Sequence, residues 1–277
     1  MKIPSYFFSL VAIGLFACCS SPKAPESETT TDALADSVVA DSVENVIEET
    51  PMPQAADALF DDFIFNFAAN RKLQRSRIVF PLKYNNNGAL TTISKSKWKM
   101  DYLFMTDEFY TLLLDNANQR EVVSDTTIHR VVIEKIQLRE QQIRNYVFER
   151  RKGIWLLTEL QDMPIEDTAD ADFLHFYRQW SNDTIFQNQH IAHDVTFSAP
   201  DPDDELNDMT GTMMPEQWPD FKPEMIPGGT IFNIDYGNTS HSEKHKTLII
   251  RGIANGMETS LTFKRDNGKW KLTKFTY

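Results

Sequence analysis

Apolar side chains recur at helical spacing twice along this chain. Phe60, Phe63, Ile64 and Phe67 fall at i, i+3, i+4 and i+7, and Phe173, Phe176, Tyr177 and Trp180 repeat that spacing 113 residues later. The spacing puts each quartet on one face and predicts an amphipathic helix at both places. The same offset aligns Leu73-Gln74 with Phe186-Gln187 and Ile78 with Ile191. Further on, the pattern F-x-R-x-x-G-x-W-x-L occurs at Phe148, Arg150, Gly153, Trp155 and Leu157. It returns at Phe263, Arg265, Gly268, Trp270 and Leu272, at an offset of 115. Two matches at nearly one offset are the mark of an internal duplication.

Between these landmarks the chain alternates as strands do. Strands are predicted over 127–138, 141–150 and 154–161, and again over 247–254, 257–265 and 269–277. Asn255-Gly256 predicts a two-residue hairpin turn, and Asp266-Asn267-Gly268 a second turn. An extended stretch over 77–84 ends in Asn85-Asn86-Asn87-Gly88. A helix is expected over 95–115, with Trp98, Tyr102 and Leu103 on one face. Asp57 stands ready to cap the first amphipathic helix, and Thr168 or Asp170 the second. The plan is α+β: two tandem domains, 57–162 and 170–277, each an N-terminal helix on a curved antiparallel sheet, joined by 163–170.

The N-terminus has a different character. Lys2 precedes an apolar stretch over 6–17, which is 12 residues long. That is too short to span a bilayer of about 30 Å and reads as a secretory signal over 1–17. Leu15-Phe16-Ala17-Cys18 closes it and resembles the lipobox of bacterial lipoproteins. The resemblance implies cleavage before Cys18 and acylation of its thiol; Cys19 is the alternative in a shifted frame. The chain holds no cysteine beyond these two, so the stability of the folded part rests on packed apolar cores rather than disulfides.

Charge sharpens the division. Residues 20–56 hold eight acidic groups against Lys23, and residues 200–229 hold eight against Lys222. Each stretch is −7, against −12 for the whole chain, which leaves the remainder at +2. Residues 18–56 also lack aromatic side chains and are expected to form an acidic, disordered tether. No basic stretch speaks for nucleic acid or for electrostatic binding to a membrane surface.

The duplicated part resembles the nuclear transport factor two-like (SnoaL-like, cystatin-like) superfamily, a helix laid across a strongly curved sheet. More narrowly it resembles a family of bacterial lipoproteins with that fold and no assigned activity. The narrower resemblance rests on Phe63 and Phe67, on Gln74-Arg75-Ser76-Arg77-Ile78-Val79-Phe80-Pro81-Leu82, on Trp98 and on Gly153-Ile154-Trp155. Residues 170–277 lack a Phe-Pro-Leu equivalent and carry the acidic, Pro- and Met-rich insert instead.

Members of the superfamily often use the cone between helix and sheet as a pocket, sometimes with an Asp/His pair. Asp101 and His129 are the residues of those types to follow, although nothing in the sequence pairs them. His190, His193 and Asp194 have a spacing that suits a metal on a helix, but their alignment with 77–81 predicts extended chain, which points the histidines to opposite faces. His241 and His245 sit in a polar stretch, and 201–205 is acidic without the spaced ligands of a calcium loop. Phe60, Phe63, Phe67, Trp98, Tyr146 and Trp155 suit a ligand box, but their spacing is that of a core. No nucleophile elbow, phosphate-binding glycine loop or catalytic cysteine is present. No catalytic residue, cofactor or metal ligand is assigned. The expectation is a lipid-anchored cell-envelope protein, on the inner or outer membrane. It would be a non-catalytic module for a partner protein or small ligand and a monomer with an internal pseudo-dimer. The alternatives are an isomerase or hydrolase of the SnoaL-like type and a structural spacer.

Overall fold

The computed structural model describes residues 57–201, 204–237 and 241–277. The predicted signal, Cys18, Cys19 and the expected tether lie outside them. Both amphipathic helices form: α1 over Phe60–Ala69 and, later, α3 over Ala171–Asn182. Each is followed by a short helix, α2 over Arg71–Ser76 and α4 over Thr184–Gln189. Asn70 and Asp183 cap these short helices, each accepting a backbone N–H.

Twelve strands are present among the described residues. Those before the joint are β1 (Ile78–Asn86), β2 (Ala89–Ile93), β3 (Phe109–Leu114), β4 (Arg130–Gln137), β5 (Gln142–Arg151) and β6 (Ile154–Pro164). After it come β7 (Ile191–Asp201), β8 (Asp204–Met213), the one-turn helix α5 (Trp218–Phe221), β9 (Thr230–Asp235), β10 (His245–Gly252), β11 (Glu258–Asp266) and β12 (Lys269–Thr276). All twelve join in one sheet, in the order β2-β1-β6-β5-β4-β9-β3-β10-β11-β12-β7-β8. From the two edges inward the order runs alike, until the third strands trade places. β3 pairs with β10 and β9 with β4, both antiparallel, and β3 and β9 meet in parallel at the centre. The two expected antiparallel sheets are therefore one mixed sheet, with further parallel pairs at β1–β6 and β12–β7.

The two helices cover opposite faces of this sheet. Val131 and Ile133 of β4 belong to the core beneath α1, and Ile136 of the same strand belongs to the core beneath α3. On β10 the split falls between Ile249 and its neighbours Leu248 and Ile250. In the first core Phe60 meets Phe148 and Trp155 at ring distances of 5.3 and 5.0 Å. In the second, Phe173 meets Phe263 and Trp270 at 5.4 and 5.3 Å. These are the motif positions. Gly153 and Gly268 supply φ of +80° and +77° in the two-residue turns between β5 and β6 and between β11 and β12, a conformation that glycine adopts without steric cost. The turn aims the following tryptophan back at the helix.

Several local expectations change. Residues 95–115 are not a helix: Trp98 sits in an irregular stretch, Leu103–Thr106 makes one 3₁₀ turn, and β3 follows. β3 lies mid-sheet with Tyr110, Leu112 and Leu114 in one core and Leu113 against the other. A strand buried on both faces is apolar throughout, a pattern shared with a buried helix. Asn255-Gly256 is not a two-residue turn, because Arg251 pairs with Glu258 and the positive φ falls on Ala254 and Gly256. Asp57 does not cap α1; its carboxylate takes both Arg77 Nη atoms at 2.8 Å and the Trp155 N–H. Asp170 precedes α3 without a capping bond, its carboxylate being taken by Lys246. The acidic insert supplies β8 and α5, with Trp218 buried in the second core. No helix among the described residues is long and apolar enough to cross a membrane.

Candidate functional site

Gln74 has a turn of α2 beneath it and no exposed surface. Its Oε1 accepts from Trp98 Nε1 and from the Asp101 N–H, both at 3.0 Å, and its Nε2 donates to the Phe67 and Asp101 carbonyls. Gln187 repeats the arrangement with Trp218 Nε1 at 2.9 Å and the Trp180 carbonyl. Each amide fixes a tryptophan brought in by chain outside the sheet, so the buried backbone there keeps its hydrogen bonds.

In the first half this anchor holds the loop that carries Asp101. The Asp101 carboxylate accepts the Tyr146 hydroxyl at 2.6 Å and the Leu103 N–H at 3.0 Å. Burial, and then the nearby Asp101 charge, hold the Tyr146 phenol well above its usual range, so it stays a donor. His129 stands just before β4 with an exposed side chain. Asp101 and His129 are thus not partners.

Next to this anchor a cleft of about 330 Å³ opens between the 100–107 loop and the pair β4–β9. Lys135 of β4 and Phe232 of β9 are register partners on its floor, with Lys135 Nζ 5.4 Å from the ring centroid. Residues 100–103, with Tyr102 among them, and Thr106, Asp107 and Thr230 complete the lining. Burial raises the Asp107 carboxyl above its ordinary value, and Lys135 opposes the shift. Because β9 comes from after residue 170, the cleft exists only through the strand exchange.

A second polar cluster lies on the other face at the same seam. Lys246 is 4% exposed, with its Nζ 2.5 Å from Asp115 Oδ1 and bonded also to Asp170. Close by, Asn233 Nδ2 donates to Glu134 Oε2 at 2.8 Å while its Oδ1 accepts the Leu113 N–H. Burial raises the Glu134 carboxyl to about 7; Asp235 and Asp170 add to the rise, and Asn233 and Lys246 oppose it.

The remaining sequence candidates are dispersed. His190 ends α4 and stacks on Phe186 with centroids 3.9 Å apart. His193 and Asp194 are exposed on β7. His241 is exposed in a loop, and His245 opens β10. Asp201 and Asp204 flank the hairpin of β7 and β8, with residue 203 outside the described residues. Among the described residues no three His, Cys, Asp or Glu side chains converge as for a metal. The aromatic box is packed core, since Phe60, Phe63, Phe67, Trp98, Tyr146 and Trp155 are each at most 9% exposed. Sequence reasoning missed Lys135, Glu134 and Lys246. The signal for the last two was their phase: Glu134 alternates with Ile136, and Lys246 with Leu248 and Ile250, on an apolar face.

Comparison with known proteins gives the fold its relatives. A crystal structure from Bacteroides fragilis, described as an NTF2-like protein, matches with a TM-score of 0.75 and 39% identity, over 82% of this chain and 98% of that one. None of the curated proteins matches. A family model described as a domain of unknown function, DUF4348, matches residues 39–277, and the chain belongs to that family.

Proposed function

We propose that this protein is a lipid-anchored envelope protein, held through Cys18, whose folded part is two diverged copies of one domain serving as a non-catalytic binding module. The observation that carries the binding reading is the state of the two cores. The space between helix and sheet, where an enzyme of this superfamily would hold its substrate, is filled by the chain's own rings. Trp155, Trp180, Tyr146, Tyr177, Phe148 and Phe263 are among the largest fully buried side chains. Binding then falls to the surface, where the cleft beside Asp101 is one concave feature that offers polar groups. The inward-running strand order and the Gln74/Gln187 anchors speak for the duplication. The tether over 18–56 would lift the module from the membrane, and the two halves sharing one sheet suit an internal pseudo-dimer in a monomer.

The anchor is tested by metabolic labelling with a palmitate analogue in the native host. Cys18→Ala is expected to abolish labelling and release the protein from membranes. Release by Cys19→Ala and not by Cys18→Ala would move the anchor by one residue. The binding role is tested by native mass spectrometry of the protein extracted from those membranes. A reproducible added mass or a bound second chain is expected. A bare chain, with no crosslinked partner in intact cells, would overturn the binding role in favour of a spacer.

A further inference from the structure

We propose that the cleft between the 100–107 loop and β4–β9 is a saccharide site for an uncharged sugar, which deepens the binding reading above and rests on it. Tyr102 is 51% exposed, and the chain on either side of it is fixed. Gln74 holds both backbone groups of Asp101, Tyr146 holds its carboxylate, and Leu103 is buried with φ of +49°. An exposed ring on an anchored, positive-φ segment is a presented ring, not a loose one. Facing it, Lys135 makes no ion pair among the described residues, and the Asp107 carboxyl makes no side-chain hydrogen bond among them. Thr106 and Thr230 add hydroxyls.

These groups match one class of ligand better than the others. A pyranose presents apolar C–H faces to a ring and hydroxyls that both donate and accept. Asp107 accepts from such hydroxyls and Lys135 donates to them. Lys135 lies over Phe232 and offsets the charge of Asp107, so an anion meets the carboxylate and a cation meets the ammonium. A lipid chain finds too little apolar wall. An extended peptide finds no strand edge to join, because β4 and β9 are both interior strands. The volume is at the lower end for small-molecule sites, which begin near about 300 Å³, and suits one or two rings of a longer chain.

The test uses the full-length lipoprotein in a detergent without a sugar headgroup. Maltotriose, cellotriose, mannotriose, chitotriose and, as an anionic control, a galacturonate trisaccharide are the probes. Saturation-transfer NMR and titration calorimetry are the readouts. At least one neutral trisaccharide is expected to bind, and Tyr102→Ala and Lys135→Met each to weaken it by about tenfold or more. Because Tyr102 is exposed, its replacement should leave the unfolding temperature unchanged, so lost binding does not report lost folding. Neutral-sugar binding that survives both substitutions would overturn the site. Binding of none of the neutral sugars, or of the galacturonate probe alone, would overturn the ligand class. In each case the binding-module reading stands or falls separately, on the native mass spectrometry.

Discussion

Lys246→Met is expected to destabilise the fold by about 3–5 kcal/mol, the usual cost of stripping one partner from a buried charge cluster. The ammonium lies at the meeting point of three elements: Asp115 at the end of β3, Asp170 at the start of α3, and its own strand β10. Burial alone would lower the Lys246 pKa, but the bonds to Asp115 and Asp170 outweigh it and the pKa is raised. A raised cation contributes stability that is fully present below its unfolded value and is lost only as pH rises through the folded one. The contribution is therefore undiminished across the neutral range. Methionine keeps the stem's volume and removes the charge, so two carboxylates remain facing each other. Urea unfolding at pH 7 measures the effect, and a loss under about 1 kcal/mol would mean that water reaches the cluster and screens it. Lys246→Met combined with Asp115→Leu and Asp170→Asn should recover much of the loss, since the cost lies in unpaired charge and not in a missing shape.

Glu134 also has a raised pKa, but its transition falls in the acid-to-neutral range. Its folded pKa of about 7 lies above the ordinary 4.5, so the folded protein binds the proton more tightly than the unfolded chain does. The contribution of Glu134 to stability is then greatest below pH 4.5, falls as pH rises between the two values, and levels off above about 7. The difference corresponds to about 3 kcal/mol. Glu134→Gln keeps an oxygen for Asn233 Nδ2 and removes the ionisation. It should match the parent at pH 4 and exceed it at pH 8, by an unfolding temperature higher by about 6–12 °C. A gain of equal size at both pH values would show that packing, not ionisation, is responsible. The two substitutions are coupled, because Lys246 restrains the Glu134 shift. In the Lys246→Met background the pH at which stability falls should move upward.

Much of the fold was legible because helix and strand patterns were strong where one face is buried. α1 and α3 announced themselves by four aromatic or apolar residues each, and the final meanders by alternation bounded by glycine turns. The motif Gly153-x-Trp155 and its counterpart Gly268-x-Trp270 were legible as a repeat, although not as a turn aiming a ring at a helix. β3 was misread because both its faces are covered, which erases the alternation. The exchange of β3 and β9 was out of reach: each strand pairs with residues more than 90 positions away, and nothing local distinguishes an own partner from a borrowed one. The cleft inherits that blindness, since Lys135 and Phe232 become neighbours only through the exchange. Gln74 and Gln187 were visible as aligned residues, but a buried amide looks in sequence like any exposed one.

The crossed third strands also set a timetable. Glu134 of β4 and its partner Asn233 of β9 are 99 residues apart. At about 5–20 residues per second of synthesis, the open side of β4 waits roughly 5–20 s for the strand that closes it. During that interval the β4 edge, bearing Val132, Glu134 and Ile136, is an unpaired template in the sense that invites another chain. A second molecule offering its own β9 satisfies the same register, so crowding of nascent chains would yield interlocked dimers with native contacts throughout. A host that makes this protein in quantity gains by keeping the chain extended until residue 235 has emerged.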